Sequence, residues 1–185
     1  HSLPMSPPIF SGRVFKEKPE RGDVAVFKLP KDNETDYIKR VIGLPGDTVQ
    51  MINGRLFLNG KFVPRKRIEN FIDLDLGRSW SQYIETLPNG SQYRVIEQLG
   101  DFSPLDNTPV YKVPSGHYFM MGDNRDNSAD SRVQAGADRV GYVPLDNFVG
   151  RAEILFFSTN GSARLWEVWQ WITAMRLQRF FKVIE

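Results

Sequence analysis

The chain has 185 residues, 41% apolar and 25% charged, with a formal net charge of +2 and no cysteine. That suits one globular domain, or a core domain with a smaller lobe, and offers no broad basic footprint for nucleic acid. The missing cysteines exclude a disulfide scaffold, a thiolate zinc site and a cysteine nucleophile.

The chain opens on His1-Ser2-Leu3-Pro4 without methionine and reads as a cut fragment. Pro4, Pro7 and Pro8 forbid a helix through Gly12. No secretory signal stands there, and no apolar run reaches the roughly 20 residues that cross a bilayer. Val24 to Phe27 is a short apolar run closed by Pro30, and Asp36 to Ile42 is a second, followed by a turn at Leu44-Pro45-Gly46-Asp47. Val49, Met51, Leu56 and Leu58 flank Asn53-Gly54, which accepts positive φ at both central positions of a tight hairpin. Asn59-Gly60 starts another turn before Phe62 and Val63.

Residues 66–113 are more polar and read as an inserted lobe, with a further hairpin signal at Asn89-Gly90 between Tyr83, Ile84 and Tyr93, Val95. Strand character returns at His117–Met121 and at Val149–Phe157. The tail, Ser162 to Glu185, is helix-compatible, with Trp166, Trp169, Ile172 and Met175 at threefold spacing and Arg164, Arg176, Arg179 and Lys182 as cations. Such a helix packs on a sheet or lies at a water–lipid boundary. The expected organisation is a split β core (1–65 and 114–160), the lobe (66–113) and a Trp-rich amphipathic tail (161–185).

Two segments carry candidate chemistry. Lys39 lies inside an apolar strand pattern, on the face of Tyr37 and Val41, with Ile38 and Arg40 opposite. A lysine amine taken out of water loses proton affinity and can serve as a general base, whereas one at a strand edge merely reaches to solvent. Gly122 to Arg132 is a dense polar loop after a strand, where functional groups collect or where the chain simply turns in water. Asp123, Asn124 and Asp126 are spaced like calcium ligands, but the glycine and glutamate of an EF-hand loop are missing. His117 stands alone and is expected to be structural. Neither a metal nor a cofactor is expected.

Three segments in order resemble bacterial type I signal peptidases, Ser/Lys-dyad serine proteases: Arg21-Gly22-Asp23-Val24-Ala25-Val26-Phe27-Lys28, Tyr37 to Asp47, and Gly122 to Arg132. The resemblance covers most of the chain. It implies a mainly β fold, a large antiparallel β-structure with an inserted smaller β-lobe, here followed by a short C-terminal amphipathic helical tail. Lys39 would be the general base, Ser128 would orient it, Asp130 and Arg132 would support that arrangement, and Arg40 with Asp123 would form a second supporting pair. Val26, Tyr37 and Ile38 would line shallow pockets for small side chains, and the substrate would lie as an extended strand along Asp36 to Lys39. The implied partners are secretory preproteins and a lipid bilayer surface, with no nucleic acid. The implied place is the bacterial inner membrane, with the catalytic region on the periplasmic face.

In the resemblance the nucleophile stands in a Ser-x-Ser-Met-x-Pro-Thr-like box well upstream of the Arg21 motif. Ser2 to Pro8 does not match it, because Pro4 precedes Met5 and the segment is too close to Arg21. Ser2, Ser6 and Ser11 are therefore not assigned. The serine is expected before His1, and the chain as written is expected to be inactive. The rival expectation is a catalytically silent β-rich module that binds peptides or membrane surfaces.

Overall fold

The structure, a computed structural model, describes residues 18–73, 77–137, 139–151, 154–155 and 182–183. It is mainly antiparallel β. A five-stranded sheet carries β1 (Val24–Lys28), β2 (Asp36–Gly43), β11 (His117–Met121), β12 (Val143–Pro144) and β13 (Phe148–Arg151) in the order β12-β11-β2-β1-β13. A four-stranded sheet holds β3 (Thr48–Ile52), β4 (Arg55–Leu58), β5 (Lys61–Phe62) and β10 (Tyr111–Lys112) in the order β10-β3-β4-β5. A third is built round β8 (Arg78–Thr86), which pairs with β6 (Arg65–Arg67), β7 (Phe71–Asp73) and β9 (Gln92–Glu97).

The first sheet lies between two apolar clusters, which explains why β11 is nearly all apolar rather than alternating. Tyr118 and Met120 pack with Ala25, Phe27, Val41, Val143 and Phe148 on one side. Phe119 and Met121 pack with Ile42, Val49, Leu56, Val95 and Val113 on the other. Each such side chain contributes roughly 1.5–3 kcal/mol by leaving water. Turn chemistry sets the register around these clusters. Asn53 and Gly54 both take positive φ, at 48° and 70°, as the β3–β4 hairpin requires. The β8–β9 hairpin closes differently: only Gly90 of the Asn89-Gly90 pair has positive φ, with the Gly90 N–H donating to Leu87 O at 2.9 Å.

Of the stretch expected as a last core strand, β13 and Ile154–Leu155 (β14) are extended. Within the tail only Lys182–Val183 (β15) are described; they pair antiparallel with β14 and are extended where helical spacing was expected. The tryptophans of the tail, and Ser2, Ser6 and Ser11, lie outside the described residues. Among the described residues no helix is long and apolar enough to cross a membrane.

Gly43 ends β2 where the two layers come closest. A Cβ there would sit 2.8 Å from Val49 Cγ2, 2.9 Å from Phe119 Cβ and 3.0 Å from Val113 Cγ2. Gly43→Ala is expected to destabilise the chain by about 1–3 kcal/mol through overpacking. Urea unfolding should show a lower midpoint at unchanged slope; an unchanged midpoint would refute the packing described.

Candidate active site

Strand β2 sets Lys39 opposite Ala25 of β1, whose small side chain leaves room for the lysine stem. Lys39 is 9% exposed, and its Nζ donates to Ser128 Oγ at 2.8 Å across 89 residues of sequence. Alternation puts Tyr37 on the same face, its ring centroid 5.6 Å from the amine.

The loop that brings Ser128 is folded inward rather than solvated: Arg125, Asp130, Ser131 and Arg132 are buried. Its end is stitched to β11, since Ser131 N–H donates to Met120 O at 2.9 Å and Met120 N–H to Ser131 Oγ at 2.8 Å. Asp130 accepts the Gly122 N–H at 3.0 Å and grips Arg132 through Nε at 2.9 Å and Nη2 at 2.8 Å. Arg132 Nη2 also donates to Arg125 O at 2.7 Å, which closes the loop on itself. Ser128 rests against the bare Cα of Gly122: a Cβ there would lie 2.0 Å from Ser128 Oγ and 2.5 Å from its Cβ. Sequence reasoning passed over Gly122, although a glycine directly after a buried strand is a signal of close approach.

Arg40 points to the other side of β2 and makes a bidentate pair with Asp123, Nε to Oδ1 at 2.9 Å and Nη2 to Oδ2 at 2.8 Å, while Nη1 donates to Gly22 O at 2.7 Å. The spacing that resembled a calcium loop has another use: Asp123 takes Arg40, Asn124 Oδ1 accepts the Asn127 N–H, and Asp126 Oδ2 accepts the N–H groups of Gln98 and Leu99. Among the described residues no group of three or more metal-ligating side chains is placed to hold an ion. His117 sits in β11 with Nδ1 2.9 Å from Ser115 O.

These neighbours set the protonation of Lys39. Burial pushes its pKa below the ordinary lysine value; Asp130 opposes this, Arg132 reinforces it, and Asp123 opposes it weakly. Both carboxylates carry a guanidinium, so neither is left to pair with the amine alone. Burial also pushes the Asp130 carboxyl up, but the charge and hydrogen bonds of Arg132 outweigh it and hold the carboxyl below its ordinary value.

The residues expected to meet substrate divide by strand face. Val26 and Ile38 are direct cross-strand partners, and Ile38 is 39% exposed, so the two form one apolar surface. Tyr37 lies opposite them, partnered with Phe27 and beside Lys39. Asp36 is at the outer end of β2 and pairs with Lys28 at 2.8 Å. A cavity of about 490 Å³ lined by Pro45, Gly46, Lys112, Val113, Pro114 and Ser115 shares no residue with this group.

A family profile described as Signal peptidase, peptidase S26, matches residues 8–157. The signal peptidase I of Rickettsia typhi is 41% identical over 189 residues, covering 95% of this chain and 69% of its own. That of Rickettsia prowazekii is 42% identical over 188 residues, covering 94% and 69%. A solved signal peptidase I from Enterococcus faecalis shares 26% identity and covers 73% of this chain and 97% of its own, with a TM-score of 0.41.

Two outcomes follow from this geometry. Gly122→Ala should push Ser128 aside and open the amine to water, and a lysine-detected NMR titration should then show the Lys39 midpoint rising as its burial is relieved; an unmoved midpoint would contradict the packing of the loop over the amine. Lys39 also has a stability signature. Its folded pKa lies below the unfolded value of about 10.4, so the unfolded chain binds more protons between the two and native stability rises across that window. Lys39→Met should therefore be more stable than the parent near neutral pH, with the difference shrinking as pH approaches about 10.4. Parallel stability curves in urea across that range would disprove it.

Proposed function

The chain belongs to the signal peptidase family, peptidase S26, and from that membership we propose that it is the catalytic region of a signal peptidase I, cleaving signal peptides from secreted preproteins with a serine nucleophile and Lys39 as general base. The observation that carries the proposal is the buried Lys39 amine, 2.8 Å from Ser128 Oγ and depressed in proton affinity by burial.

An amine that has shed its proton keeps a lone pair. With one N–H donated to Ser128, that lone pair is free to face a serine hydroxyl. Lys39 takes the hydroxyl proton as the oxygen attacks the scissile carbonyl, and returns it to the departing amine as the acyl-enzyme forms. Water then attacks the acyl carbon as Lys39 takes its proton, the ester bond to serine breaks, and Lys39 returns the proton to the serine oxygen. Ser128 orients the base, the Asp130–Arg132 pair fixes the loop that carries Ser128, and the Arg40–Asp123 pair ties that loop to β2. No Ser-Met box of the family type stands in residues 1–185, so the nucleophile is proposed to come from outside this stretch, and residues 1–185 alone to hydrolyse no signal peptide.

The substrate is proposed to lie extended along Asp36 to Lys39, its small side chains read by Val26, Tyr37 and Ile38. Strand β2 pairs with β1 over Asp36–Arg40 and with β11 from Arg40 to Gly43, which supports a guest strand beside its first half. The proposed division is a core of 1–65 and 114–160, a lobe of 66–113 and a tail of 161–185 that meets the lipid surface. The proposed place is the periplasmic face of the bacterial inner membrane.

In the intact peptidase, Lys39→Met should lower preprotein cleavage by on the order of 10²–10⁴, the share of a general base. Ser128→Ala should cost less, because it removes an orienting contact and leaves the base. Cleavage of an Ala-x-Ala preprotein at near-normal rate by Lys39→Met would overturn Lys39 as the base, whereas no cleavage by the intact parent would favour a silent peptide-binding module.

A further inference from the structure

One buried polar cluster has no part in the chemistry above. Glu85 on β8 and Tyr93 on β9 are direct cross-strand partners that face inward. Between them and the polar loop lies Arg125, 1% exposed, beside Glu85 at 0%. Arg125 Nη1 donates to Glu85 Oε1 at 3.0 Å and Nη2 to Oε2 at 2.5 Å, while Tyr93 Oη donates to the same carboxylate at 2.7 Å and accepts from Arg125 Nη2 at 3.2 Å. The Tyr93 ring also lies under the Arg40 guanidinium, 4.4 Å from its centre.

The backbone repeats the connection. Ile96 N–H donates to Asp123 O at 2.9 Å and Arg125 N–H to Ile96 O at 3.0 Å, so the start of the loop runs beside β9 as a short parallel addition. Asp126 then holds Gln98 N–H at 2.6 Å and Leu99 N–H at 2.7 Å. The carbonyl of Arg125 receives Arg132, whose Asp130 partner holds Gly122, the floor beneath Ser128. A chain of bonded groups therefore joins β8 and β9 to the contact between Ser128 and Lys39.

We infer that the β8–β9 hairpin is a brace for the Lys39 base: the buried Glu85–Arg125–Tyr93 cluster holds the loop from which Ser128 reaches Lys39, making these three positioning residues. Physical chemistry favours this role over plain stabilisation. A buried ion pair gains little over apolar side chains of equal volume, because desolvation offsets its attraction. Its directional bonds, however, fix one orientation, and a bidentate guanidinium fixes it in a plane. The inference rests on the reading of Lys39 and Ser128 as the base and its orienting group.

The test uses residues 1–185 with isotope-labelled lysine, following the Lys39 side-chain resonance against pH in the parent, Tyr93→Phe, Glu85→Gln and Leu58→Ala. Tyr93→Phe keeps the ring under Arg40 and removes one hydroxyl, so it carries the test if Glu85→Gln fails to fold. Leu58→Ala opens a cavity in β4, within the apolar cluster that also holds Tyr93, and removes no group of the loop or of the Glu85–Arg125–Tyr93 set. The groups around the amine, Ser128, Tyr37, Asp130, Arg132 and Asp123, are intact in all four. Tyr93→Phe and Glu85→Gln should shift the Lys39 midpoint upward, as a looser loop admits water, while Leu58→Ala lowers thermal stability and leaves the midpoint in place. A depressed parent midpoint that ignores both brace variants, or follows Leu58→Ala equally, overturns the brace alone. A parent midpoint at the ordinary lysine value overturns the base assignment and the brace with it.

Discussion

An amine loses proton affinity only when it is kept from water and from any carboxylate with charge to spare. Most of the polar architecture around Lys39 answers to that pair of requirements. Dryness alone is easy, since an apolar pocket supplies it, but an apolar pocket cannot aim a lone pair. Aiming needs polar groups, and polar groups near an amine bring carboxylates. The structure admits two of them, Asp130 and Asp123, and gives each its own arginine. The uncharged hydroxyl of Ser128 is the group at hydrogen-bond distance from the nitrogen.

That solution has a structural consequence. Two paired arginines and their carboxylates must be held beside a buried amine, so the loop from Gly122 to Arg132 is drawn into the interior at Arg125 and from Asp130 to Arg132. An interior loop must account for its backbone groups as well as its side chains. It does so by leaning on two strands at once: Met120 of β11 and Ser131 exchange bonds on one side, while Asp123 and Arg125 exchange them with Ile96 of β9 on the other. Gly122 is bare because Ser128 occupies the space where its side chain would stand.

Much of this was legible from residue types. Asn53-Gly54 announced a hairpin because few residues accept positive φ twice in succession, and Lys39 stood out because a charge interrupts an otherwise apolar face. The split of the residues proposed to meet substrate was also readable: alternation alone separates Tyr37 from Ile38, and the structure pairs Ile38 with Val26 and Tyr37 with Phe27. What local pattern could not reveal is the partner of a residue whose partner is far away. Arg125 sits among Asp, Asn and Ser, the composition of a solvated turn, and Glu85 sits in the more polar stretch that was read as a lobe. Both are buried because β8 and the loop meet, and that meeting is set by the hairpin ending at Gly90 and by the pairing of Ile96 with the loop.

Polar groups that sequence reads as surface thus became the most constrained part of the interior. Two apolar clusters could by themselves hold three sheets together, yet they would tolerate small shifts of one layer over another, because burial has no direction. An amine held 2.8 Å from a hydroxyl, as Lys39 is from Ser128, tolerates no such shift. The bidentate pairs Arg40–Asp123 and Arg125–Glu85 flank the loop, the first reaching β2 and the second reaching β8. Apolar packing decides that the layers meet, and the paired charges decide where along each strand they do so.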